Sequence, residues 1–195
     1  MKKMIFLLVG VAMILHGVSL LPSASAFMVH KTDVFSNQLI TRTVECKVHE
    51  KVEDNSKTSI KVQNTGEIKA YLRVRVLTYW EDSKGNTVGL PISMPSFNVD
   101  TNNWIADSNE HTYYYVLPVE PNEFTEELFA SNQKITLATK SEEVNDVEYE
   151  YFQVVEIIAE AIQAEGTTDT GNVPAVEDAW NVTLDSAGNI TGIKD

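Results

Sequence analysis

Val62 to Trp80 constrains the fold of this chain more than any other stretch. It reads Val-Gln-Asn-Thr-Gly-Glu-Ile-Lys-Ala-Tyr-Leu-Arg-Val-Arg-Val-Leu-Thr-Tyr-Trp. A turn at Asn64-Thr65-Gly66 leads into a long alternating run. Leu72, Val74, Val76 and Trp80 share one face; Tyr71, Arg73, Arg75, Leu77 and Tyr79 share the other. A period of two in β-branched and aromatic residues marks a strand with one face buried. Leu72, Val74, Val76 and Trp80 are therefore expected in a core.

The chain opens with a different pattern. Lys2 and Lys3 precede an almost wholly apolar run from Met4 to Leu21. Pro22 breaks that run, and Ala24-Ser25-Ala26 supplies small residues at alternate positions. This is the layout of a secretory signal peptide, residues 1–26, with Ala24 and Ala26 at the cleavage site and Phe27 as the first mature residue. An uncleaved signal anchor is the alternative, because the apolar run sits at the lower limit of a membrane span. Cleavage is preferred, since the helix breaker and small residues lie where a peptidase needs extended backbone. Secretion to the extracellular space or cell surface follows, with no membrane association after processing.

The net charge is −13, and loss of Lys2 and Lys3 makes it more negative. Such a chain repels nucleic acid and anionic membrane surfaces, so neither is an expected partner. Cys46 is the one cysteine, so no intrachain disulfide is available. It lies in phase with Val44 and Val48 and is expected to act as a small buried hydrophobe. An exported chain without disulfides suits a bacterial, particularly Gram-positive, source. A Leu-Pro-x-Thr-Gly sorting signal is absent, which argues against covalent wall anchoring.

Between residues 27 and 165 the turn signals separate seven or eight short strands. Ile40 to His49 and Thr58 to Gln63 alternate, divided by Glu53-Asp54-Asn55-Ser56. Pro91 and Pro95 exclude a central strand from Leu90 to Asn103, and Trp104 is expected to drop from that loop onto the core. His111 to Leu117 and Lys134 to Thr139 read as strands, and Phe124 to Phe129 as a strand or a helical turn. Ser141 to Asp146 reads as an acidic loop. Glu148 to Ala164 is favoured as one long strand, with a helix open as the alternative for residues 155–165. Residues 166–195 read as a linker, a short helix at Pro174 to Trp180 and a flexible tail with a weak hairpin signal near Asp185 to Asn189. The expected fold is all-β, an antiparallel jelly-roll-like sandwich between a signal-peptide helix and a short C-terminal helix or tail.

The residues give little support for catalysis, and no catalytic, metal or cofactor residues are assigned. His49-Glu50 begins like the zinc motif His-Glu-x-x-His, but Glu53 stands where the second histidine belongs. Cys46 and His49, three apart on a strand, point to opposite faces. Glu142, Glu143, Asp146 and Glu148 admit a calcium site or, preferably, a solvated loop. Tyr79, Trp80, Trp104 and Tyr113 to Tyr115 admit a sugar-stacking platform or, preferably, core packing.

Several blocks occur in an order that resembles a known family. They are Asn64-Thr65-Gly66, Ala70-Tyr71-Leu72-Arg73-Val74, Tyr79-Trp80 with Asp82 to Gly85, and Trp104 before Tyr113-Tyr114-Tyr115. Pro121-Asn122-Glu123-Phe124-Thr125 follows with Leu128-Phe129, then Ala159-Glu160-Ala161-Ile162-Gln163-Ala164 and Ala179-Trp180. The set resembles the TasA/camelysin-like exported proteins of Gram-positive bacteria. The resemblance implies a jelly-roll sandwich, maturation by a signal peptidase of the SipW type, and incorporation into biofilm matrix fibres with itself or related matrix subunits as partners. Some members carry a metallo-endopeptidase label, for which no zinc motif is present here. A carbohydrate-binding adhesin on the same sandwich is a further alternative.

Assembly suggests a use for the mature N-terminus. Phe27, Val29, Val34 and Phe35 put bulky apolar side chains before the first clear strand. An unfilled sheet edge templates strand addition, so these four are the expected donor-strand residues for a neighbouring subunit. Pairing within their own subunit is the alternative. Two destinations are open for Arg73 and Arg75: this chain's carboxylates, or the acidic surface of a neighbour.

Overall fold

The computed structural model describes residues 42–166 and 174–194, which form an all-β sandwich. One sheet contains β1 (Cys46–Glu53) and β2 (Ser56–Asn64). Its third strand is the short β7 (Ile135–Thr136), giving the order β1-β2-β7. The larger sheet is built on β3 (Ala70–Asp82), with β4 (Thr87–Val88), β5 (Trp104–Asp107), β6 (Thr112–Tyr115), β8 (Thr139–Val144) and β9 (Val147–Gln163). Its order is β5-β6-β3-β9-β8, and β4 pairs with the end of β3. The pairings are antiparallel, and strands distant in sequence lie side by side, as expected of jelly-roll-like winding.

The core sits between the two sheets. Leu72, Val74 and Val76 of β3 face Ile60 and Val62 of β2, joined by Trp104, Leu128, Ile135 and Val155. Trp80 is buried at the far end of β3, where its Nε1 donates to Pro91 O at 3.2 Å. The alternation seen in the sequence is therefore the division between core and outer face. Gln153 is a polar member of the inward phase of β9. Its amide donates to Thr78 Oγ1 and Ser93 O and accepts from Ala138 N, so its burial is compensated.

The favoured reading of one long strand from Glu148 holds, and other expectations change. Residues 155–163 belong to β9, which resolves the choice between strand and helix for most of that segment. Tertiary pairing to β3 along its whole length overrides the helix propensity of Ala, Glu and Gln. The acidic loop at Ser141 to Asp146 is instead the end of β8 and a two-residue turn into β9. Asn145 and Asp146 both have positive φ, 54° and 61°, as a type I′ hairpin turn requires. Trp104 is buried as expected but begins β5 rather than hanging from a loop.

The tail differs most from its reading. A helix α1 (Ala175–Trp180) leads into β10 (Val182–Leu184) and β11 (Ile190–Ile193), which pair as a hairpin. Val176, Trp180, Val182 and Ile190 are buried against Tyr71 and Tyr114 on the outer face of the larger sheet. Each such aliphatic burial contributes about 1.5–3 kcal/mol, which offsets the entropy of ordering a short segment. Ala179 is exposed, because positions 176 and 180 already fill the inward stripe of the helix. The hairpin turn is held by Asp185, whose carboxylate accepts from Ala187 N and Asn189 N.

Candidate assembly surface

The cleavage residues Ala24, Ala26 and Phe27 lie outside the described residues. So do the donor-strand residues Phe27, Val29, Val34 and Phe35. What the described residues contribute to the question is their sheet edges. β1 pairs with β2 on one side and with no strand on the other among the described residues. Val44, Cys46 and Val48 back this edge by packing on the core. Farther along, the edge is interrupted: the register shifts between His49 and Lys51, opposite Ser59 at φ 52°. The bulge, with Lys51 beside it, discourages pairing at this part of the edge. The regular part of the open edge therefore lies at its start, next in sequence to residues 27–41.

Backbone contacts fix where the chain meets β1. Thr65 N and Gly66 N donate to Glu45 O, and Glu67 N to Thr43 O, at 2.9–3.1 Å. Gly66 is needed for this approach, because a Cβ there would lie 2.6 Å from Thr43 O and 2.8 Å from Glu45 N. The side chain of fully buried Asn64 ties the same corner to two other segments. Its Nδ2 donates to Ile68 O and Val119 O at 2.8 and 2.9 Å, and its Oδ1 accepts from Gly66 N at 3.0 Å.

The candidate chemical residues are occupied elsewhere. His49 Nε2 bonds Gln63 Oε1 at 3.1 Å, and its ring meets Phe124 edge-on. Glu50 pairs with Lys57 at 2.7 Å. Burial, followed by the charge of Glu160, pushes the Cys46 thiol up, so it stays protonated and weakly nucleophilic. Among the described residues no three His, Cys, Asp or Glu side chains are grouped to hold a metal ion. A cleft of about 510 Å³ is lined by Lys61, Asp100, Asn102, Glu126, Glu127 and Phe129 among others. Its Asp100 carboxylate is spent on its own turn, accepting from Asn102 N and Asn103 Nδ2.

The aromatic residues serve packing. Trp80, Trp104, Tyr113, Tyr114 and Tyr115 are all buried, leaving Tyr79 as the one of the six with substantial exposure. The Tyr-Tyr-Tyr run is buried on both faces of β6. Tyr113 and Tyr115 enter the core, and Tyr114 goes beneath α1.

The two arginines of β3 part company. Arg73 Nε donates to Glu160 at 2.9 Å, and its guanidinium lies 4.7 Å from the centre of the Trp180 ring. It thus pairs within the chain and helps seat α1. Arg75, one pleat along, has a buried Nε with no hydrogen-bond partner. The sequence showed both arginines on the outer face but could not separate them, since the difference depends on where the C-terminal segment stops.

No helix among the described residues is long and apolar enough to cross a membrane. Compared with protein-family models, with curated proteins and with solved structures, the chain matches none.

Proposed function

We propose that this chain is a secreted, non-enzymatic structural protein, a subunit or accessory component of extracellular matrix fibres that assembles by strand addition. The observation that carries the reading is the edge of β1 that stands open among the described residues, backed by the core and adjoining in sequence the apolar residues Phe27, Val29, Val34 and Phe35. A free edge offers a row of unpaired backbone donors and acceptors, and an extended apolar segment from another copy supplies the complementary strand. A segment leaving one copy and entering the next makes a head-to-tail contact, which grows a filament rather than a closed ring if the rotation does not close. The ordered blocks from Asn64 to Trp180 and the signal-like residues 1–26 support export and matrix incorporation.

Negative-stain microscopy of the chain beginning at Phe27 tests this directly. Fibres are expected from that chain, and a folded, fibre-free protein from one lacking residues 27–36. Equal fibre growth from both would overturn strand addition by this segment.

A further inference from the structure

The outer face of the larger sheet is covered at one end and bare in the middle. The C-terminal segment covers Tyr71, Tyr114 and Ile162. Beyond it, Leu77 is 40% and Ile158 37% exposed, and Phe152 is 41% exposed farther along β9. Leu77 stands opposite Glu156, and Arg75 opposite Ile158. These four side chains share one face and make the corners of a rectangle, about 4.8 Å across the strands and about 7 Å along them. One diagonal joins the apolar pair Leu77 and Ile158. The other joins the opposite charges Arg75 and Glu156.

Among the described residues neither charge has a partner within the chain. Arg75 forms no ion pair and its buried Nε has no hydrogen-bond partner. Glu156 forms no ion pair among the described residues either. In an acidic chain, a half-buried guanidinium without a carboxylate is an unsatisfied site, because removal from water is compensated only by a partner. Arg73, in the equivalent place one pleat earlier, has such a partner in Glu160.

We propose that this patch is a two-fold interface, on which a second copy of the same chain docks face to face. A two-fold axis running roughly along the apolar diagonal lays Leu77 on Leu77 and Ile158 on Ile158 of the two copies. The same operation brings Arg75 of each copy over Glu156 of the other. The patch is thus self-complementary in charge and in apolar surface, as an isologous contact requires. The strands of the two sheets then cross at a steep angle, one of the two usual ways in which sheets stack. The contact uses no residue before β3, so it is independent of the strand-addition reading. Being isologous, it closes on itself: it joins copies, or fibres, in pairs and does not lengthen them.

Sedimentation velocity of the purified chain over a range of concentrations tests the proposal, using the single variants Arg75→Glu and Glu156→Arg and their equimolar mixture. At concentrations too low for fibre growth, the wild type is expected to shift from monomer to dimer as its concentration rises. Each single variant faces like charges across the axis and is expected to associate at least tenfold more weakly. Mixing them restores both opposite-charge pairs and therefore dimerisation. Leu77→Glu, at an exposed position, places two carboxylates on the axis and should also give monomers with an unchanged circular dichroism spectrum. A wild type that stays monomeric, Leu77→Glu that dimerises as well as wild type, or a mixture no better than its folded components would overturn the proposal. The chain lacking residues 27–36 should dimerise like wild type; loss of dimer there would place the contact elsewhere.

Discussion

Asn64 offers the sharpest test of how the β1 edge is held. It is fully buried and makes three side-chain hydrogen bonds that join the turn at Gly66, the start of β3 and the strand-like segment at Val119. Asn64→Ala removes all three. Val119 O keeps a donor in Ala70 N at 3.0 Å and Gly66 N an acceptor in Glu45 O at 3.1 Å, but Ile68 O loses its side-chain partner. At about 1 kcal/mol for each bond lost, the expected cost is about 3 kcal/mol, with more if the stranded Ile68 carbonyl stays dry. For a domain of this size that lowers the melting temperature by roughly 6–12 °C. Asn64→Asp is the more discriminating change. It keeps the acceptor for Gly66 N and turns the donor into an oxygen facing two carbonyls. The ionised form is disfavoured in the fold, so the folded pKa of the new carboxyl rises above the usual value near 3.9. The unfolded chain then loses the proton first, and the penalty grows as pH rises through and above about 4. Urea unfolding followed by tryptophan fluorescence, with wild type as reference at each pH, measures the difference. A loss below 1 kcal/mol for Asn64→Ala, or an Asn64→Asp penalty no larger at pH 7 than near pH 4, would refute this account.

Three further outcomes are expected. Gly66→Ala forces Cβ into Thr43 O and Glu45 N, so it should cost at least about 1 kcal/mol and speed proteolysis before Cys46, measured by timed digestion. Tyr71 donates its hydroxyl to Gly188 O at 2.7 Å, and burial, then the charges of Asp185 and Glu177, push its pKa up. The unfolded chain ionises first, so this contribution is present below about pH 10 and lost as pH climbs past it; Tyr71→Phe should flatten the alkaline fall in melting temperature. Trp180→Ala removes the ring over Arg73 and the main anchor of α1, so it should cost about 3 kcal/mol and expose the β10–β11 hairpin to protease while β3 amides stay protected from exchange.

The sandwich was legible where burial is one-sided. On β3 the alternation named Leu72, Val74, Val76 and Trp80, and all four are buried. On β9 the odd phase of Tyr149, Tyr151, Val155, Ile157, Ala159 and Ala161 is the cleaner apolar set; its members from Val155 onward line the core, whereas Tyr149 is exposed. Legibility failed where two-sided burial or turn chemistry decided the outcome. Asn145-Asp146 makes a tight hairpin because short polar side chains tolerate positive φ, yet the neighbouring glutamates masked β8 as a loop. The tail looked too polar to fold. Its few apolar residues, Val182 and Ile190, find a ready platform in Tyr71 and Tyr114, which only the three-dimensional pairing brings together.

That platform explains the division of the outer face. Tyr71, Arg73, Arg75, Leu77 and Tyr79 form one row in the sequence, yet their environments change along it. Tyr71 and Arg73 are met by Trp180 and its neighbours, so an aromatic and a cation there are satisfied within the chain. From Arg75 onward no such cover reaches the row among the described residues: the guanidinium Nε is unpaired and Leu77 is open to water. A face finished by the chain's own C-terminal segment would carry polar, solvated residues at its uncovered end. Here the uncovered end repeats the chemistry of the covered one, an arginine beside apolar side chains. The same kind of surface that receives α1 and its hairpin at one end is thus presented bare at the other, which is the physical case for an intermolecular partner there.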